Sequence, residues 1–329
     1  MTYRRFFLTR LAQALFALWL VATLVFVMFF VLLPKPERNL FGGRQATPAM
    51  VAHTKREFHL RASLPEQYAR YMWRLVADQS AGSREYRALA GDREALSDSG
   101  MVAREAIPAT LSVVIPALLL AGAVGVLAGS VLARVRWRRI YGLPIYVAVG
   151  LTPIWVGFYL LLYAGVDWDL VPIGNYCDFF RPQAGTCGGP VDWMTHLILP
   201  VTTLSIFFAA VYTRIVRAGL SPAGSDRSRH RSFWLFMARV AAFDFGALIG
   251  LSVFVEPVFQ IPGLGRLAVA SYQAQDLVLM QAVVLYGTFL GIAATFLVDV
   301  IVGALDADVR EEWRFVARPR RVYREQVLK

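Results

Sequence analysis

Ionisable side chains inside long apolar runs are costly in a bilayer, and by default they mark places where a membrane protein does work. Two stand out in this 329-residue chain: Asp244, in the middle of the apolar stretch 233–255, and Asp299, near the end of the stretch 277–304. Asp244 suits a polar translocation path in which a carboxylate meets a substrate amine. Its structural alternative is pairing with a neighbouring helix, or with Arg239 five residues earlier, an imperfect helical spacing for a direct pair. Asp299 lies close to the helix exit and to an arginine-rich tail, which suits an interfacial ion pair. Between the two runs stands Glu256-Pro257-Val258-Phe259-Gln260-Ile261-Pro262-Gly263-Leu264-Gly265-Arg266. Pro257 and Pro262 fix φ and remove donors, while Gly263 and Gly265 admit backbone closed to other residues, so the segment reads as a rigid, non-helical hairpin at a membrane face.

Catalytic chemistry has no foothold. No G-x-S-x-G, H-E-x-x-H, Walker A or dinucleotide fingerprint occurs. His53, His59, His196 and His230 are scattered over four regions, and the pair six residues apart has the wrong spacing for one helix face. No catalytic residue, cofactor or metal is expected. The two cysteines, Cys177 and Cys187, fall in one Pro/Gly-rich loop. Without a nearby His they supply too few ligands for a metal, and in an oxidising compartment they read as a disulfide closing that loop.

The elements that must position these residues follow from composition. The chain is 57% hydrophobic and only 17% charged. Runs of about 20 apolar residues recur, the length a helix needs to cross about 30 Å of hydrocarbon. This is an all-α membrane protein, and six transmembrane helices fit: about 11–33, 107–133, 142–165, 194–216, 233–255 and 277–304. The basic N-terminus is followed by an apolar run too long for a signal peptide. Arginines concentrate in the N-terminus, the second-to-third connector (Arg134, Arg136, Arg138, Arg139), the fourth-to-fifth connector (Arg217, Arg227, Arg229, Arg231) and the tail. With six spans all four regions share one side, which places both termini in the cytoplasm. The net charge of +11 therefore belongs to cytoplasmic loops facing anionic lipid, and no nucleic-acid face is indicated.

The domain division is a first transmembrane helix at 1–33, a small extracytoplasmic lid at 34–106, a five-helix core at 107–304 and a basic cytoplasmic tail at 305–329. Within the lid, Leu64 to Val76 forms an amphipathic helix with Tyr68, Tyr71, Met72 and Leu75 on one face. Three spans carry G-x-x-x-G (Gly125/Gly129, Gly246/Gly250 and Gly287/Gly291), a packing signature for close helix approach.

Several segments, in order, resemble the permease subunits of oligopeptide/dipeptide/nickel ABC importers. They are Tyr3-Arg4-Arg5, Leu64-Pro65-Glu66-Gln67-Tyr68, Glu105-Ala106-Ile107-Pro108-Ala109-Thr110-Leu111, Thr152-Pro153-Ile154-Trp155-Val156-Gly157, His196-Leu197-Ile198-Leu199-Pro200, Tyr212 to Arg217, the 256–266 hairpin and Val298 to Arg310. The resemblance implies a subunit that moves peptides or similar small solutes by alternating access. Its partners would be a second permease subunit in a heterodimer, two ATPase subunits that hydrolyse the ATP, an extracytoplasmic substrate-binding protein, and the bilayer of the plasma or inner membrane. It also implies that Glu256, Pro257, Phe259, Pro262, Gly263 and Gly265 form an extracytoplasmic gate or binding-protein contact.

One interval departs from the family. Where members carry an E-A-A-x-x-x-G loop with amphipathic helices that dock on the ATPase, residues 218–232 here are short, basic and rich in Pro and Gly. Arg227, Arg229 and Arg231 are the ATPase-contact candidates that remain. The alternatives are a solvated basic connector with the partner permease making the main contact, and a degenerate, permease-like scaffold without ATP-coupled transport.

Overall fold

Among the residues that the computed structural model of the chain describes, every regular element is helical. Those residues are 3–32, 62–77, 99–134, 153–174, 176–177, 189–220, 227–274 and 276–305. In chain order the helices are α1 (Tyr3–Phe26), α2 (Leu64–Ala77), α3 (Ser99–Arg134), α4 (Pro153–Leu160), α5 (Pro190–Gly219), α6 (Arg227–Val258), α7 (Leu264–Gln273) and α8 (Leu277–Leu305). Val27–Leu32 continues α1, and Leu161–Asp167 continues α4, as wider π-helical turns.

Among the described residues five helices are long and apolar enough to cross a membrane: α1, α5 and the apolar lengths of α3, α6 and α8. The expected span at 142–165 is described only in its second half, a shorter apolar helix Ile154–Asp167; residues 135–152 lie outside the described residues. Helices start earlier than the apolar runs. α1 begins at Tyr3 rather than 11, α3 at Ser99 rather than 107 and α6 at Arg227 rather than 233. Arginine has good helix propensity, and its stem can lie along apolar surface with the charged head in water, so a basic flank does not stop a helix.

The lateral distribution of side chains is that of a protein in lipid. On α3, small and β-branched residues (Ala109, Val113, Ala117, Ala121) are buried, whereas Leu119, Leu127 and Val131 point outward. Leucine gains nothing by leaving lipid for protein, so close backbone approach decides what faces inward. Two of the glycine pairs show this directly. A Cβ on Gly125 would lie 2.4 Å from Tyr212 Cβ, and one on Gly129 would lie 2.8 Å from Val216 Cβ, which fixes α3 against α5. Gly246 of α6 meets Gly291 of α8 backbone to backbone. A main core gathers α3, α5 and α6 around Val113, Leu204, Phe208, Tyr212 and Leu248. A smaller one joins the start of α3 to α7 and α8 through Ala103, Ala106, Leu264, Ala282 and Val283.

The amphipathic α2 forms as its pattern predicts, one residue longer than expected. It rests on the end of α1, where Phe26 meets the rings of Tyr68 and Tyr71 at 5.3 and 5.4 Å and the Tyr68 hydroxyl lies 2.8 Å from that of Thr23. Residues 33–61 and 78–98 of the expected lid lie outside the described residues.

Candidate functional site

The hairpin segment is partly helical, which corrects the expectation of an irregular eleven-residue loop. Glu256, Pro257 and Val258 form the last turn of α6, and Leu264, Gly265 and Arg266 form the first turn of α7. Proline fits near a helix end because its ring interferes only with the preceding turn. Between the helices the chain reverses through a Schellman-type stop, with Ile261 N–H donating to Glu256 O at 2.9 Å and Gln260 N–H to Pro257 O at 3.4 Å. The left-handed position, where glycine is usual, is taken by Gln260 at φ +56°.

At the centre of this reversal the Glu256 carboxylate is 0% exposed. Thr110 of α3 donates its hydroxyl to Glu256 Oε1 at 2.7 Å and accepts the Leu264 N–H at 2.7 Å. The Arg266 N–H donates to Glu256 Oε2 at 3.0 Å, and the Gly265 N–H also interacts with the carboxylate. α7 has Gly263 as its N-cap, with no side chain to satisfy its first donors. Glu256 supplies that cap from the preceding helix, placing a negative charge where the exposed N–H groups and helix dipole favour one. The glycines make room for it. A Cβ on Gly263 would fall 2.4 Å from Glu256 Oε2, and a Cβ on Gly265 would fall 2.5 Å from the backbone of Ser252 and Val253. Neither needs positive φ, so the requirement at both is space.

Segments remote in sequence converge on this turn. Thr110 comes from the Glu105–Leu111 motif. Phe259 packs beside Gly157 of the Thr152–Gly157 motif, where a Cβ would lie 3.4 Å from its ring and 3.3 Å from Thr203 of α5. Gly174, at φ +83°, brings the 168–176 loop against the Phe259 carbonyl and Gln260. With both oxygens engaged by fixed donors and no ion pair to Glu256 among the described residues, the group is a latch. It joins α3, α6 and α7 into one unit and is not placed to transfer protons or bind a substrate amine.

Of the six residues expected to contact a binding protein, Glu256, Phe259, Gly263 and Gly265 are buried and shape the turn, Pro257 is half-buried, and Pro262 is exposed. Gln260 and Arg266 are the other exposed residues of the turn, linked by Arg266 Nη1 donating to Gln260 O at 2.7 Å.

The intramembrane carboxylates separate into two environments. Asp299, 7% exposed, accepts from Arg239 Nε at 2.9 Å and pairs with Arg10 Nη1 at 3.2 Å, tying α1, α6 and α8 together. Arg239 thus pairs with Asp299, and the cations at Asp299 among the described residues come from α1 and α6; residues 306–329 of the tail lie outside the described residues. Asp244 lies against Tyr212 of α5. No hydrogen bond of good geometry reaches Tyr212 Oη or Asp244 Oδ2 among the described residues, and both atoms are buried. Sequence reasoning missed Thr110, Tyr212 and Arg10 as partners. The signal available was their place in motifs and apolar flanks, but pairing across 146 residues is a tertiary fact.

On the opposite side α5 ends at Gly219 and α6 begins at Arg227, with Phe233 folded over Gly219. Residues 221–226 lie outside the described residues. Arg231 is exposed and donates to the Leu305 carbonyl; the side chains of Arg227 and Arg229 lie outside the described residues. Cys177 is buried and disulfide-bonded, and Cys187 lies outside the described residues.

Comparison with known proteins identifies what this helical frame is for. Residues 3–113 match the family described as the N-terminal part of the binding-protein-dependent transport system membrane component, and residues 229–311 match the family described as the inner membrane component of the same systems. The chain belongs to this family. It is a permease subunit of an ABC importer and a multi-pass protein of the inner membrane. A peptide transport system permease protein of Brucella abortus is 27% identical over 325 residues, covering 92% of this chain and 98% of that one. The dipeptide transport system permease protein of Escherichia coli is 26% identical over 352 residues, covering 94% and 99%. A peptide ABC transporter permease protein of Sinorhizobium fredii is 25% identical over 329 residues, covering 93% and 99%. The family is one of membrane components, and membership implies ATPase and permease partners. The second matched range begins just after the short α5–α6 connection.

Proposed function

We propose that this permease subunit moves peptides, or solutes of like chemistry, by alternating access. The observation that carries the substrate class is the near end-to-end similarity to relatives named for peptide and dipeptide transport. It would pair with a second, non-identical permease subunit and two ATPase subunits, and would receive solute from an extracytoplasmic binding protein. Six spans with both termini cytoplasmic agree with the five long helices, the shorter apolar helix Ile154–Asp167 and the arginine distribution. The working division is the first helix at 1–33, the lid at 34–106, the core at 107–304 and the basic tail at 305–329, with Cys177 bonded to Cys187 in an outer loop.

In this scheme the Glu256 latch makes the α6–α7 turn follow α3 and α6 as a rigid body, so that rocking of the core opens or shuts the outer face. Pro262, with Gln260 and Arg266, would offer the exposed contact to the binding protein. Asp244 with Tyr212 would form the polar point of the path. The test is co-purification with the neighbouring ATPase subunits, followed by ATP hydrolysis with and without peptide-loaded binding protein. Stimulation by the loaded protein supports the proposal, and absence of any associated ATPase subunit in every nucleotide state removes it.

One observation favours a second reading. The interval 218–232 is short, basic and rich in Pro and Gly, so the partner permease would carry the main ATPase contact, with Arg227, Arg229 and Arg231 adding an electrostatic one. At its limit this becomes a permease-like scaffold, distinguished by an assembled complex whose hydrolysis ignores the loaded binding protein.

A further inference from the structure

Helix α2 is strongly amphipathic. At about 100° per residue, Glu66, Gln67 and Arg70 fall on one arc, and Leu64, Pro65, Tyr68, Met72 and Leu75 fall on the arc opposite. Tyr71 and Trp73 stand on the two flanks between those arcs. The polar arc is tied to itself, with Arg70 Nη2 at 2.6 Å from Glu66 Oε1 and both side chains about half exposed.

The ring and hydroxyl contacts between α2 and α1 gather on one turn of α1. Tyr68 and Tyr71 both meet Phe26, and Tyr68 also reaches Thr23. Helices lying side by side touch over several turns, so this is a crossing. Its depth can be counted. Arg5, exposed near the start of α1, belongs with the headgroups at one face. Thr23 and Phe26 stand on the order of 27 and 32 Å further along the helix, at 1.5 Å per residue. Hydrocarbon is about 30 Å thick, so α2 crosses α1 at the opposite hydrocarbon boundary.

Leu15, Phe16 and Leu24 of α1 are exposed, as befits a helix that borders lipid, and α2 continues that apolar surface. Leu64 is 52% exposed, and Trp73, on the flank turned away from Tyr71 and α1, is 70% exposed. Charges on one side, aliphatic groups on the other and aromatic rings at the flanks make the pattern of a helix lying in a membrane interface. Such a helix sinks its apolar face about 5–10 Å into the boundary between headgroups and acyl chains. We propose that α2 lies flat in the extracytoplasmic surface of the bilayer, with Tyr68 and Met72 toward the acyl chains and Glu66 and Arg70 toward water. Its partner is the lipid surface, to which it fastens this part of the 34–106 segment beside α1. The face of the membrane rests on the orientation proposed above; the contact with lipid does not.

The test uses the assembled importer in nanodiscs of phosphatidylglycerol and phosphatidylcholine, with binding protein present. Benzoylphenylalanine replaces Trp73, Met72 or Arg70 singly by codon suppression. Illumination joins the probe to a neighbouring C–H bond, and mass spectrometry of the chain reads what was captured. Phospholipid adducts are expected at positions 72 and 73, with their loss to the level of the unilluminated sample at position 70. Capture chiefly of the binding protein, the second permease subunit or another segment of this chain at position 73 overturns the proposal, because the face is then a protein contact. Capture of nothing at 72 and 73 overturns it by placing α2 in water. Equal lipid capture at all three positions overturns it by removing the orientation. ATP-driven peptide uptake is read on the same preparation. Lipid adducts without uptake would count against the transport proposal alone, and uptake without lipid adducts against this inference alone.

Discussion

Gly263→Ala tests the latch cleanly, because the backbone there is extended, at φ −100° and ψ −176°, and alanine adopts it without strain. Its only penalty is space. The new methyl would lie 2.4 Å from Glu256 Oε2 and 2.5 Å from the carboxyl carbon and Oε1. The carboxylate cannot swing away freely, since Thr110 and the Arg266 N–H hold it at 2.7 and 3.0 Å. Either the clash remains, at about 1–3 kcal/mol for overpacking, or one charge-assisted hydrogen bond is lost, at about 1.5–3 kcal/mol. A loss of about 2 kcal/mol follows, or on the order of 4 °C in the melting temperature for a chain of this size. Glu256→Ala alone should also destabilise, because it leaves buried donors without a partner. The double variant is the decisive member of the cycle. With the carboxylate gone the alanine methyl has room, so adding Gly263→Ala to Glu256→Ala should cost less than about 0.5 kcal/mol, a coupling of about 1.5 kcal/mol or more. Thermal unfolding of the purified complex, followed by loss of the monodisperse peak, reads all four forms. Equal penalties for Gly263→Ala in both backgrounds would refute the reasoning.

Three further outcomes follow from the same geometry. Gly125→Ala should destabilise by about 1–3 kcal/mol through its contact with Tyr212 Cβ, whereas Gly122→Ala, open on all sides, should be neutral or stabilising by up to about 1 kcal/mol; thermal melts of the pair check this. Asp299→Ala leaves Arg10 and Arg239 facing each other, and about 3–5 kcal/mol is expected for breaking a buried pair from one side; Arg10→Leu with Arg239→Leu and Asp299→Leu together should recover most of it in the same assay. Gln260→Gly should stabilise by up to about 1 kcal/mol, because φ +56° is strained for glutamine and free for glycine, visible as a higher melting temperature.

Much of the frame was legible in the sequence for a simple reason. A bilayer allows few solutions, so apolar length fixes where helices cross and arginine clusters mark their ends. The G-x-x-x-G pairs announced close packing, and Gly125, Gly129 and Gly246 take part in it while Gly250 meets nothing nearby; the tyrosines of α2 fall on the face that meets Phe26. Helix ends were less legible, because Arg227 to Ser232 and Ser99 to Ala106 are polar enough to read as loop yet have helix-forming residues and neighbours to pack on. The latch shows the limit most clearly. Pro and Gly at 257, 262, 263 and 265 signalled a tight turn, but they did not reveal that two of those glycines are spaces for one carboxylate. That carboxylate was expected at an extracytoplasmic gate or binding-protein contact, as the family resemblance implies. Only the approach of Thr110 from α3 turns it inward, and nothing local encodes that approach. Asp299 was read as an ion-pair member, but its partners needed the crossing of α1 and α6 over α8.

The central claim, that this subunit carries solute in an ATP-driven importer, is tested most directly by uptake. The complex with its neighbouring permease and ATPase subunits is reconstituted in vesicles containing ATP, with binding protein and labelled dipeptide outside. Time-dependent accumulation that requires ATP and binding protein, and that falls in parallel with stability in Gly263→Ala but not in Gly122→Ala, is the predicted result. An assembled, ATP-hydrolysing complex that accumulates no peptide of any composition would contradict it.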